Sequence, residues 1–138
     1  MKSEAGSASP FSRWLLGWIP LGIASAIVFH GAILSPEDIP LFLARLNDKS
    51  LHGTEYFLLF LFAANAFKRA SQTWLSSHPL RGAFGYCLLM GAVTEFVQFF
   101  VPGRSADIFD WAMDGLGAST ALGLVCLFSP ASRLGEKA

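Results

Sequence analysis

The chain has 138 residues, 53% of them hydrophobic and 14% charged, and its ten Lys and Arg balance its ten Asp and Glu. A soluble domain is roughly a quarter charged, so this composition argues against a surface covered by water. The zero net charge also argues against a nucleic-acid partner, which calls for a basic domain or face.

In chain order, residues 1–13 are polar, with Gly, Ser and Pro, and read as a mobile tail. Four apolar runs follow, at residues 14–34, 51–67 with an extension to 70, 82–101 and 108–128. Crossing a bilayer as a helix takes about 20 residues. The pattern therefore predicts an all-α polytopic membrane protein, a bundle of four transmembrane helices forming one domain over residues 14–128, with a polar tail over 129–138. The second and fourth runs contain charges, so their assignment rests partly on length and on the other two.

The first run follows Lys2 and Arg13 and contains Ala24-Ser25-Ala26, which gives it the look of a signal peptide. It continues well past that site and is expected to remain as an uncleaved span. Pro20 would kink it tolerably, and His30 near its far end suits a helix-packing hydrogen bond. The outer loop over 35–49 opens at Pro36, and its 39–46 portion is expected to lie as a short amphipathic helix on the membrane surface. The loop over 68–81 carries no site signal, and His78 reads as solvated. Cys87 and Cys126 sit in apolar runs, suited to small packing positions rather than a disulfide or zinc site. In the last run Gly115, Ser119 and Gly123 form a small-residue line that permits close helix packing.

Lys2, Arg13, Lys68, Arg69, Arg81, Arg133 and Lys137 fall on one side of this layout, and Arg45, Lys49 and Arg104 on the other. The positive-inside rule then predicts that both termini are cytoplasmic and that the turn at Pro102-Gly103 lies outside.

The stretch over 94–119 departs most from a plain spanning sequence. Glu95, Asp110 and Asp114 lie inside apolar helices, where an ionisable group is costly and marks function or pairing. At 1.5 Å rise per residue Glu95 lies ~9 Å below Val101, and Asp114 ~10 Å below Asp107. Asp107, Asp110, Asp114 and Gly117 share one helix face, and Glu95 shares another with Gln98. Asp107 follows Ser105, the expected N-cap, and reads as a helix-end charge. Asp48, His52 and Tyr56 recur at four-residue spacing, flanked by Lys49 and Glu55, at the same depth. Two distant parts of the chain are thus expected to meet in one outward-facing polar layer.

Asp48-Lys49-x-x-His52-x-x-Glu55-Tyr56, Glu95-x-x-Gln98, and Pro102-Gly103-Arg104 with Asp107, Asp110 and Gly117 together resemble the VanZ-like family of small membrane proteins. The likeness runs from about residue 48 to 123, and its founding member is associated with teicoplanin resistance. One departure is Asp114, where the family pattern more often has Asn. The resemblance implies a multi-pass protein of the bacterial cytoplasmic membrane with a role in the cell envelope and in antibiotic resistance, without implying a reaction.

Two functions are carried forward. In the first, the pocket binds a lipid-linked precursor, a glycolipid or an amphiphilic antibiotic through Asp48, Lys49, His52, Tyr56, Glu95, Gln98, Arg104, Asp107, Asp110 and Asp114. Arg104 and Lys49 would then hold an anionic head group. In the second, it is an intramembrane hydrolase or transferase acting on an envelope lipid, with His52 and Glu55 or Glu95 as acid/base groups or metal ligands, and Glu and Asp oxygens would suit a hard metal ion. No cofactor is expected, no metal site is assigned outside that second reading, the bilayer is the expected partner, and nothing in the pattern sets an oligomeric state.

Overall fold

A computed structural model describes residues 10–44 and 48–129. It is all-helical, with no strand among the described residues. Helix α1 spans Pro10–Ile33, a 3-10 turn Pro36–Asp38, α2 Leu41–Ala44, α3 Asp48–Lys68, α4 Thr73–Ser77, α5 Pro79–Gln98 and α6 Ile108–Phe128. Trp14–Ile33, α5 and α6 are each long and apolar enough to cross a membrane. Helix α3, with Asp48, Lys49, His52, Glu55 and Lys68, is as long but less apolar, and is not among them.

Helix α3 is nevertheless the central element, packed against α1, α5 and α6. Its Tyr56, Leu59, Phe60, Ala63 and Ala66 are fully enclosed and form the core. Small residues set the spacing around it. A Cβ on Gly17 of α1 would fall 3.0 Å from the Ala66 Cα, and one on Gly117 of α6 would overlap the Gly53 carbonyl of α3. The line expected at Gly115, Ser119 and Gly123 is not the one used. Ser119 and Gly123 are exposed, and α6 instead packs with Asp110, Asp114, Gly117, Ala118 and Ala121 inward. The spacing of small residues was right, but the face was displaced by two positions.

The radial distribution of polarity is inverted relative to a water-soluble bundle. Leu89, Phe96 and Leu127 are 65%, 66% and 79% exposed, while Asp114 is 1% exposed and His52, Glu95, Gln98 and Asp110 are buried. Apolar side chains facing outward suit lipid, and inward-facing ionisable groups are the arrangement in which a bilayer tolerates them.

Several expected boundaries move. Residues 10–13, assigned to the tail, are already helical, whereas residues 1–9 and 130–138 lie outside the described residues. The 68–81 loop contains α4, and α5 starts at Pro79 because proline's fixed φ and missing amide suit a first helical position. His78 is half-buried and stacks on Trp74 at 5.6 Å rather than standing free in solvent. Within the expected 39–46 helix, Leu41–Ala44 is helical and residues 45–47 lie outside the described residues. Helix α5 stops at Gln98, and the chain turns through Val101 to Gly103, whose φ of 78° favours glycine.

Candidate functional site

The site forms where the first turns of α3 and α6 meet the last turns of α5. Spacings of three and four residues stack Lys49, His52 and Tyr56 on one side of α3, and Asp110 and Asp114 on the facing side of α6. On α5 the same spacing aligns Gly91, Thr94, Glu95 and Gln98, all buried.

Across α3 and α6, His52 Nδ1 lies 2.9 Å from Asp114 Oδ1. One turn outward, the Lys49 ammonium donates to Asp110 at 3.1 Å and to Asp107 at 3.4 Å, and lies 5.6 Å from the Phe109 ring centroid. Between α5 and α6, Glu95 Oε2 accepts the Asp107 amide at 2.8 Å. Asp107, rather than the expected Ser105, is the N-cap, and its Oδ1 accepts from the Phe109 amide at 2.8 Å. That bond, with help from Lys49, holds the Asp107 carboxyl below its ordinary pKa.

Between α3 and α5, the Tyr56 and Thr94 hydroxyls lie 3.0 Å apart, and Thr94 Oγ1 is within bonding distance of the Met90 and Gly91 carbonyls. Trp111 donates its indole N–H to the Leu88 carbonyl at 3.0 Å. Gly91 makes room for the site, since a Cβ there would fall 2.8 Å from Asp114 Oδ2. That oxygen and Glu95 Oε1 are both fully buried and have no hydrogen-bond partner among the described residues.

In front of these groups is a cavity of about 290 Å³. Its polar lining includes His52, Glu55, Tyr56, Thr94, Gln98 and Arg104, and its apolar wall includes Val28, Ala32, Leu34, Ile39 and Leu51. A second space of about 340 Å³, bounded by Asp107 and Asp110, shares Asp48, Gln98 and Arg104 with the first. Arg104 is half-buried, and among the described residues it has no ion-pair partner.

The expected residues are therefore sorted by depth. His52, Tyr56, Glu95, Gln98, Asp110 and Asp114 are buried, Glu55 and Arg104 line the cavity, and Asp48 and Lys49 are exposed. Among the described residues Lys49 is bound to two acids, whereas Arg104 faces the cavity, with Asp48 and Glu55 on the same lining, without a salt bridge. Thr94, Trp111 and Gly91 contribute to the site without having been singled out for it. Thr94 had one available signal, a position beside Glu95 in an apolar helix, but its partner Tyr56 lies 38 residues away.

Inward-facing ionisable groups, a lipid-suited exterior and helices long enough to span define a helical membrane protein with an internal polar site. The family follows from comparison: a family model described as VanZ/LLP1 matches residues 6–129, and the chain belongs to that family. Neither a curated protein nor a solved structure matches it.

Proposed function

We propose that the protein is a four-span accessory protein of the bacterial cytoplasmic membrane, with α3 as the fourth span and both termini cytoplasmic. Its outward-facing cavity receives the anionic head group of a lipid-linked envelope precursor or glycolipid. The observation that carries this reading is Arg104, which lines both spaces and has no ion-pair partner among the described residues. A guanidinium offers a planar fork matched to phosphate. The apolar wall beside it gives the first carbons of a lipid tail a place to lie. Seven of the ten Lys and Arg fall on the side opposite Arg104, which supports placing the cavity outside.

A glycopeptide-resistance role is part of the same reading, because competition for envelope precursors alters susceptibility to drugs that bind them. The test is the susceptibility of cells carrying wild type or Arg104→Ala to teicoplanin, at matched membrane abundance. Wild type lowers susceptibility and Arg104→Ala does not. Equal effects of the two would remove Arg104 from the function.

Intramembrane acid/base chemistry is the second reading, and the His52–Asp114 contact favours it, because a carboxylate at 2.9 Å orients an imidazole for proton transfer. Wild-type cells whose effect survives Arg104→Ala but is abolished by His52→Gln would favour this reading over the first.

A further inference from the structure

Behind the cavity, His52, Glu95 and Asp114 come from three different helices, and one donor atom from each lies within 4.8 Å of the others. All three residues are more than nine-tenths buried, at 7%, 8% and 1% exposure. Two oxygens of this group, Glu95 Oε1 and Asp114 Oδ2, are sealed from solvent without a hydrogen-bond partner among the described residues. Buried carboxylate oxygens left bare are strongly disfavoured. An imidazole bonded to one carboxylate oxygen does not satisfy the other two.

We propose that His52, Glu95 and Asp114 form a binding site for one divalent first-row transition ion, of the Zn²⁺ or Mn²⁺ type. Such an ion would take up the two bare oxygens and offset the two carboxylates with a single double charge. One nitrogen and two oxygen donors suit this class, whereas Ca²⁺ and Mg²⁺ favour all-oxygen shells. Glycine at position 91 is part of the site, since it leaves the space that Asp114 Oδ2 occupies. His52 also lines the 290 Å³ cavity, which provides the route of entry and an open side for a further ligand. The ion site does not depend on Arg104 or on the head-group reading.

The test uses the full chain purified in detergent, stripped with a chelator and titrated with Zn²⁺, Mn²⁺ or Co²⁺ alone. The expected result is about one tightly held ion per chain and a higher melting temperature in the loaded form. Co²⁺ should give a visible absorption band that is absent in His52→Ala. His52→Ala and Asp114→Asn should each weaken binding by at least the roughly 10–100-fold seen when even an outer-shell partner is lost. Glu37→Gln, which alters an exposed carboxylate outside both spaces, should leave affinity unchanged. Melting in chelator reports whether each variant is folded. If Asp114→Asn does not accumulate, Glu95→Gln, which keeps an acceptor for the Asp107 amide, takes its place with the same expectation. No retained ion in folded wild type overturns the proposal. So does equal binding by the folded variants, equal affinity for Mg²⁺, or loss of the ion in Glu37→Gln.

Discussion

Glu95 Oε2 accepts the backbone amide of Asp107 at 2.8 Å, so a carboxylate near the end of α5 fixes the residue that caps α6. This bond closes the turn at Pro102-Gly103 and sets the register of the two helices. In chelator, Glu95→Gln retains an acceptor and should melt close to wild type. Glu95→Ala strands a part-buried amide and should lose about 1–3 kcal/mol. Thermal melting of the two purified variants checks this, and equal losses would show that the bond does not hold the turn.

The contact between Gly117 and Gly53 predicts a sharp contrast along α6. Gly117→Ala forces α6 away from α3, because its Cβ meets the Gly53 backbone, and overpacking of this kind costs typically 1–3 kcal/mol or more. Gly123→Ala has nothing within 4 Å to strike and should be neutral. The melting temperatures of the two variants separate these outcomes.

His52 and Asp114 should be energetically coupled. Removing either leaves the other buried without its partner, and breaking a buried pair costs about 3–5 kcal/mol. Removing both should cost less than the sum of the single changes. A double-mutant cycle with His52→Ala and Asp114→Asn in chelator should return a coupling of roughly 0.5–3 kcal/mol. Strict additivity would mean that the 2.9 Å contact carries no weight.

These tests rest on features of different visibility in the sequence. The span of α6 was readable to the residue, because a polar turn precedes Ile108 and apolar sequence runs on to Phe128. A common layer for the first turns of α3 and the acids of α5 and α6 is readable from depth, since a bilayer forces buried charges at one level toward one another, but the particular pairing of His52 with Asp114 is not. Depth does not say which side of a helix faces its neighbour when lipid accepts apolar groups on every other side. The small-residue line at Gly115, Ser119 and Gly123 therefore does not mark the face that packs, whereas the shared face of Asp110, Asp114 and Gly117 does. The pairing of Lys49 with Asp107 and Asp110 was hidden for a related reason. Its partners lie 58 and 61 residues away, and an interfacial lysine looks solvated on its own.

Topology gives a further check. Reporter fusions after Ser71 and Ala138 should both report the cytoplasm, because the charge asymmetry places Lys68, Arg69 and Arg81 inside. An external signal at either position would turn the cavity toward the cytoplasm.

The most direct measurement of the central claim is binding of a polyprenyl phosphate, and of the same lipid with an uncharged head, to purified wild type, Arg104→Lys and Arg104→Ala. Wild type should prefer the phosphate lipid. Arg104→Ala should lose about 1.5–3 kcal/mol of that preference, the worth of a hydrogen bond to a charged group, which is roughly 10–150-fold in affinity. Arg104→Lys keeps the charge without the fork and should fall between the two. Equal affinity for the two lipids, or variants that bind the phosphate lipid as wild type does, would contradict the account.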